Sequence, residues 1–392
     1  MSGALKRDEW ETVRLGEVCE VNPSKKFNTT ISDELPVGFL PMEAVSNDGD
    51  ILRVDSRKYG EVKKGFSGFQ DGDVLIAKIT PCMENGKGAL VSGMPSGIGF
   101  GSTEFHVLRP DSTKCHAKYI FHILENPLLR QDFARKMTGS AGQRRLPKNV
   151  LQMLEIPLPP LDVQRRIAET LDKVTELISL RKTQLGKLDE LVKARFVEMF
   201  IGKGYPTKTV NDISLGKGEY GAQSASVVYD PARPRYVRIT DIMDDGTLNN
   251  DVVSSINPND DEQYKLEYGD FMFARMGATV GKTYAFIDGN QIFAGYLIRY
   301  RLNRELIHPR YLFWYTKMDE YWNWVTLNQS GAAQPGINAK KYGSLQIPLP
   351  PINEQNTFAS FVSSVEEAKA PIQQSLDTLE TLKKSLMQEY FG

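Results

Sequence analysis

The stretch IPLPPLDVQ, Ile156–Gln164, returns as IPLPPINEQ, Ile347–Gln355, 191 positions later. Laid without a gap, Ile156–Phe200 and Ile347–Phe391 share 15 identities in 45 positions, among them Gln164/Gln355, Leu185/Leu376, Leu188/Leu379, Leu191/Leu382 and Phe200/Phe391. A repeat of this length decides the architecture, so it is read before anything else. In each copy the paired prolines, Pro159–Pro160 and Pro350–Pro351, force an extended entry. Asp162 and Asn353 then stand at matched positions as expected N-caps. Apolar residues follow at steps of three and four: Ile167, Leu171, Val174, Ile178, Leu185, Leu188, Val192 and Met199 in the first copy, and Phe358, Val362, Val365, Ile372, Leu376, Leu379, Leu386 and Tyr390 in the second. A pattern sustained this long predicts a coiled-coil helix in each copy. The alternative, an amphipathic helix lying on a domain core, fits the length poorly, because ~38 residues at ~1.5 Å each reach ~57 Å. Pro371 is expected to kink or break the second helix, and Gly186 to weaken the first.

The repeat extends upstream in weaker form. GSAGQRRL (Gly139–Leu146) lies over SGAAQPGI (Ser330–Ile337), DGDVLIAKI (Asp71–Ile79) over YGDFMFARM (Tyr268–Met276), and KYIF (Lys118–Phe121) over RYLF (Arg310–Phe313). WETVRLGEV near the start resembles YPTKTVNDI after Gly204. The offsets drift between these anchors, so the upstream halves differ by insertions. The chain reads as variable, constant, variable, constant, with boundaries at 1–155, 156–201, 202–346 and 347–392. Both variable regions carry short strand patterns (DVLIAKI, FHVLRP, FMFARM, TYAFI, YLIRYRL) broken by Gly, Asn, Asp and Pro, with helical signal at Ala117–Thr138 and Pro309–Asn328. The predicted class is α+β: two similar heads, each a curved, mostly antiparallel sheet with a few helices, joined by two long helices. Antiparallel pairing of those helices would give the chain an internal two-fold, with the proline turn as the repeated joint between head and spacer.

The bulk numbers narrow the functions. The 392 residues suffice for two or three cores, and 41% hydrophobic with 25% charged residues is ordinary for a globular protein. No run of 18 apolar residues occurs, and the start MSGALKRDEWETVRL has no apolar signal core; both lead to the expectation of a cytoplasmic protein without a membrane partner. Cys19, Cys82 and Cys115 are odd in number and far apart, which argues against a disulfide framework or a zinc site. The net charge of −1 excludes a protein that grips DNA by overall charge.

Catalytic motifs are absent or incomplete. GATVGKT (Gly277–Thr283) has Met276 where a P-loop needs its first glycine, and the strand-like TYAFI follows instead of a helix. GFGS (Gly99–Ser102) has no βαβ frame around it. The four histidines, His106, His116, His122 and His308, lack ligand spacing. No HExxH, GxSxG, Asn/Asp-Pro-Pro-aromatic or convincing paired-carboxylate motif is present.

Two variable heads, two constant helices and IPLPP-x-x-x-Q at each joint resemble the specificity (S) subunit of type I restriction–modification systems. LIAKITPCMENGKGALV with GFGSTEFHVLRP is also similar to a common variety of that family's first target-recognition domain. The resemblance covers essentially the whole chain, with Val163-Gln164 standing where a Glu-Gln pair is usual. It implies a non-catalytic subunit whose heads each read one half of a bipartite, asymmetric site in double-stranded DNA. The paired helices would set the gap between the half-sites and dock two methyltransferase (M) subunits. It also implies no cofactor in this chain: S-adenosylmethionine belongs to the M partner, and ATP and Mg to the restriction (R) partner. Half-sites about one turn apart, ~34–36 Å, would suit two heads on one face of a duplex. Two other readings stay open at this point: a self-contained restriction–methyltransferase fusion, and a coiled-coil scaffold whose heads bind protein.

Candidate DNA contacts lie on head loops. Between Arg130 and Lys148 six basic residues (Arg130, Arg135, Lys136, Arg144, Arg145, Lys148) face one acid, Asp132. Ser140, Gln143, Arg144, Arg145 and Lys148 are candidates there, because arginine suits guanine edges and glutamine adenine; the bland alternative is a solvated turn. The matching loop supplies Ser330, Gln334 and Lys340. Lys78, Thr80 and Lys87 in the first head, and Arg275, Thr279 and Lys282 in the second, flank superposed strand–turn pairs. Ser102, Thr103 and Tyr296 complete the set. Trp314, Trp322 and Trp324 are expected in the core, and Gln164 and Gln355 are expected to cap the joint.

Overall fold

The computed structural model describes residues 10–24, 31–140, 142–256, 262–331 and 334–392. They gather into two compact units: the chain up to Lys182 together with Ser375–Gly392, and Thr183–Gln374. The class is the α+β arrangement expected from the sequence, with two long helices, Leu161–Phe200 and Ile352–Phe391, of 40 residues each.

In the first unit, strands Cys19–Val21, Phe105–Pro110, Val74–Ala77 and Gly88–Leu90 form one antiparallel sheet in that spatial order. Val74–Ala77 reads as a continuous apolar run because it is central and buried along its whole length. A second sheet runs Asp55–Lys58, Pro36–Leu40, Ile98–Gly101, Ser67–Gln70, with a parallel pair in its middle. Glu11–Arg14 pairs separately with Glu155–Leu158, so the joint closes on the start of its own head.

The second unit repeats this plan. Glu219–Tyr220, Leu297–Arg301, Asp270–Ala274 and Thr283–Ala285 form the first sheet, and Thr207–Thr209 pairs with Gln346–Pro348. The second sheet keeps the parallel pair, Arg235–Val237 with Gln291–Phe293, next to Ser254–Ile256. It differs at the edges. Ser226–Val228 is added outside Ser254–Ile256, whereas in the first unit Ser67–Gln70 covers the other flank. This divergence lies upstream of Asp71 and Tyr268, within the first stretch over which the offsets drift.

The helices are seated on the heads by one construction used twice. Gln164, fully buried, accepts from the His116 amide (2.9 Å) and donates to the Lys114 (3.1 Å) and Pro159 (2.8 Å) carbonyls. Gln355, also fully buried, accepts from the His308 amide (2.8 Å) and donates to the Leu306 (3.0 Å) and Pro350 (2.8 Å) carbonyls. Tyr119 donates to the Pro157 carbonyl at 2.8 Å, and Tyr311 to the Pro348 carbonyl at 2.6 Å. Each unit takes the start of one long helix and the end of the other. In the first, Ile167 and Leu171 share a core with Met387, and Phe391 meets Tyr119 at 5.5 Å. In the second, Val192, Phe196 and Phe200 share a core with Phe358, Val362 and Val365, and Phe200 meets Tyr311 at 4.9 Å. Within each unit the two helical segments run antiparallel: Arg181 bonds Ser375 while Leu171 is near Met387, and Lys369 pairs with Asp189 while Phe196 packs on Phe358.

The seats differ in chemistry. His122 is buried between two carboxylates, Glu125 and Asp172, at 2.8 Å from each, and Lys383 lies 3.6 Å from Glu125. Lys118 also pairs with Asp172 at 2.6 Å. At the matching place in the second unit stands Trp314, packed edge-on against Phe358, and Arg310 pairs with Glu366 at 2.7 Å.

Two expectations are corrected. Asp162 and Asn353 are not the caps: the helices begin at Leu161 and Ile352, so each is the second helical residue. Pro160 and Pro351 precede the first turn, their carbonyls accepting from the Gln164 and Gln355 amides. The ring fixes φ near a value compatible with helix entry, and Asp162 instead favours the positive helix end from the first turn. Pro371 does not break its helix, which runs on to Phe391. Pro371 and Glu367, whose carbonyl loses its partner, are both exposed, so that carbonyl can be hydrated while Val365 and Leu376 remain packed.

Candidate nucleic-acid interface

Each head lays a hairpin across the end of its central strand in the same register. In the first, Leu146 donates to the Lys78 carbonyl (2.8 Å), Thr80 to the Arg144 carbonyl (3.0 Å), and Arg145 and Thr138 exchange two bonds. In the second, Ile337 donates to the Arg275 carbonyl (2.9 Å), Gly277 to the Pro335 carbonyl (2.8 Å), and Ser330 and Gly336 exchange two bonds. Lys78 therefore corresponds to Arg275, Arg145 to Gly336 and Arg144 to Pro335. The sequence superposition holds in space for Asp71–Ile79 over Tyr268–Met276 and for the returning arms, Gln143–Leu146 over Gln334–Ile337; in the outgoing arms Thr138, not Gly139, takes the place of Ser330, so the first hairpin is one residue longer.

The structure brings most first-head candidates together at this crossing. Ser140 and Gln143 are exposed on the hairpin tip, closed by a bond from the Gln143 amide to the Ser140 carbonyl. Arg145 grips Glu104 through Nε and Nη2, at 2.8–3.1 Å, and Arg144 reaches Glu84 at 2.8 Å. The hydrogen bonds from Arg145 hold the Glu104 carboxyl below its usual range, although partial burial opposes them. Lys78 donates its amide to the Glu104 carbonyl, and the Ser102 hydroxyl accepts from the Glu104 amide, so both adjoin the pair; Thr103 is exposed beside them. Thr80 Oγ1 and Glu84 Oε2 are buried without a partner under the Arg144 contact. Lys148 is exposed at the start of helix Lys148–Gln152. Lys87 is directed elsewhere, donating to the Met42 carbonyl at 3.1 Å.

The basic cluster is thus largely compensated. Arg144 and Arg145 have carboxylates, Lys136 pairs with Asp132 at 2.7 Å, and Arg130 donates to the Leu124 carbonyl. Glu84 and Glu104 lie 60 and 41 positions away in sequence, which is why a local charge count missed them.

In the second head Arg275 is half-buried, its guanidinium carbon 5.0 Å from the Tyr220 ring centre and 5.5 Å from that of Tyr296. Its Nε donates to the Gly295 carbonyl at 3.1 Å. Ser330 and Gln334 are exposed on the hairpin, and Lys340 is exposed on the following helix, Ala339–Gly343. Thr279 turns its hydroxyl onto the Met276 carbonyl, and Lys282 pairs with Asp244 at 2.7 Å, which holds the Asp244 carboxyl low. GATVGKT is a 3-10 turn, Gly277–Thr279, leading into strand Thr283–Ala285. The residues that the sequence did not single out are Glu84, Glu104 and Tyr220. Glu104 takes the place of Tyr296: the Lys78 amide donates to the Glu104 carbonyl as the Arg275 amide donates to that of Tyr296. Trp314 and Trp324 pack on the core, while Trp322 is 39% exposed.

Among the described residues no group of three or more His, Cys, Asp or Glu is placed to hold a metal ion. Likewise none of their helices is long and apolar enough to cross a membrane.

A family model described as the type I restriction modification DNA specificity domain matches residues 7–190 and 224–381. The chain is 40% identical over 182 residues to the type I restriction enzyme EcoEI specificity subunit of Escherichia coli, covering 46% of this chain and 30% of that protein. It is 37% identical over 212 residues to the EcoAI specificity subunit of the same species, covering 53% and 35%. The matches therefore span about a third of the length of either relative. The solved type I restriction–modification S subunit from M. genitalium superposes with a TM-score of 0.60 at 14% identity, covering 100% of this chain and 98% of that one, which shows a common fold.

Proposed function

The chain belongs to the family of type I restriction modification DNA specificity domains, and we propose that it is the non-catalytic DNA-recognition subunit of such a system. Each head reads one half of a bipartite, asymmetric DNA site. The observation that carries this reading is the repeated crossing, in which hairpins Thr138–Leu146 and Ser330–Ile337 meet the strand ends at Lys78 and Arg275 in one register, while the side chains presented there differ. A conserved frame with different reading groups is what recognition of two unlike half-sites requires. The surface we assign to DNA comprises Lys78, Ser102, Thr103, Ser140, Gln143, Arg144, Arg145 and Lys148 in the first head, and Arg275, Thr279, Tyr296, Ser330, Gln334 and Lys340 in the second; Thr80, whose hydroxyl is buried, drops out of the expected set. Lys87 and Lys282, held by the Met42 carbonyl and by Asp244, are left out of it.

The long helices set the gap and dock two methyltransferase subunits. Leu191 and Leu382, equivalent in the repeat, stay 49% and 43% exposed. S-adenosylmethionine is then bound by the methyltransferase partner, and ATP and Mg by the restriction partner. Selection of bound duplexes from a random-sequence library by the chain assembled with its methyltransferase partner tests the reading. Two separated, unlike half-sites are expected; a single contiguous motif, or no enrichment, overturns it.

A further inference from the structure

We propose that Arg275, held between Tyr220 and Tyr296, is a guanine reader of the second head, its guanidinium fork addressing O6 and N7 in the major groove. The proposal rests on the DNA-recognition reading above and adds a residue and the base it takes. Three observations converge on it. First, its charge is uncompensated: Arg144, Arg145 and Lys282 each have a carboxylate, whereas among the described residues none pairs with Arg275. A half-buried guanidinium without a counter-charge is a group waiting for acceptors. Second, it is fixed in position. The Nε bond to the Gly295 carbonyl sets the plane of the fork, and the two rings confine it from the sides. The Tyr220 hydroxyl is itself anchored, accepting from the Ala339 amide at 3.2 Å. Third, the hydrogen bond of the guanidinium to a described residue runs through Nε, and neither terminal nitrogen is a buried unpaired atom, so the fork's two ends are unspent and not sealed in the core.

With Nε tied off, the planar fork presents its two terminal nitrogens to two acceptors at fixed spacing. Guanine O6 and N7 offer such a pair and so does a backbone phosphate, so base preference and salt dependence are the readouts that separate the two. The first head cannot do the same at this address. Lys78 replaces Arg275, and Glu104, already held by Arg145, replaces Tyr296.

The test uses the full chain assembled with its methyltransferase partner, and duplexes selected from the random library by the unmodified complex. Every single-base change in the second half-site is measured at two salt concentrations. Replacing one particular G·C pair is expected to cost the unmodified complex roughly tenfold or more. Arg275→Ala should flatten the preference at that position alone and leave the first half-site profile intact. Arg275→Lys, which keeps the charge and lacks the fork, should flatten it as well. The proposal is overturned if Arg275→Lys retains the full preference. It is also overturned if Arg275→Ala weakens all duplexes equally and lowers the salt slope by about 1, the signature of a phosphate contact. Absence of any sequence preference in the unmodified complex would instead sink the DNA-recognition reading itself.

Discussion

Replacing Gln164 by alanine should loosen the first unit by about 2–4 kcal/mol and leave the second untouched. The side chain makes three hydrogen bonds to backbone: one accepted from the His116 amide and two donated to the Lys114 and Pro159 carbonyls. The Pro159 bond is buried and the other two are half-buried, so the first loses its partner outright and the others recover part of theirs from solvent. At about 1 kcal/mol net per bond, and 1–3 for a buried group left unpaired, the sum falls in the stated range. Such a loss is a large share of the ~5–15 kcal/mol by which a folded protein is stable. Gln164→Leu fills the space without bonding and should lose nearly as much, which separates bonding from packing. Gln355→Ala should do the same to the second unit, because its three partners are equivalent. Native-state hydrogen exchange along a urea series, read separately for amides of each head, measures both. A loss below about 1 kcal/mol, or recovery in the leucine variant, would refute the claim that these bonds secure the joint.

The His122 seat predicts a pH dependence confined to the first unit. Burial alone would lower the imidazole, but the hydrogen bonds to Asp172 and Glu125 outweigh it and hold its pKa above the ordinary value. A raised histidine contributes stability that is complete below ~6.5 and is lost as pH rises through the folded value. The advantage of the wild-type chain over His122→Phe should therefore shrink from about pH 6.5 upward in pH-dependent unfolding; a constant difference would contradict it. Asp172, pulled down to about 2 chiefly by the His122 hydrogen bond, works in the opposite direction: its contribution is present above 3.8 and lost as pH falls towards 2. Pro371→Ala should stabilise the second unit by about 1–3 kcal/mol, since a helix interior then regains one hydrogen bond; thermal unfolding that shows no gain would mean the helix is already relaxed there. Arg145→Ala should weaken DNA binding or relax one base position in the first half-site and spare the second; equal loss at both half-sites in the duplex assay would point to misfolding instead.

The helices were legible because their signal is local and periodic. Ile167, Leu171, Phe358 and Val362 fall at core positions that spacing alone identifies. Phe196 and Phe200 are buried at the same spacing and close the stripe against Tyr311. The paired prolines marked the joint, yet the cap fell on Pro160 rather than Asp162, because a proline's fixed φ can open a helix without a side-chain acceptor. Matching KYIF to RYLF located Tyr119 and Tyr311 on equivalent carbonyls. What stayed hidden depends on long-range pairing. Glu84 and Glu104 neutralise arginines that look unopposed in sequence, Tyr220 joins Arg275 from 55 positions away, and Asp172 meets His122 only once helix and head are packed. The edge strand Ser226–Val228 was equally unreadable, because its exposed residues carry no alternating pattern.

The central claim is that two heads of one chain read two different halves of a single DNA site. Mapping methylated adenines across the genome of a host that carries this chain and its methyltransferase partner tests it most directly. The account predicts one motif made of two unlike specified segments separated by a fixed number of unspecified bases, with exchange of residues 202–346 for those of a relative altering one segment only. A contiguous or palindromic motif, or an exchange that alters both segments together, would contradict it.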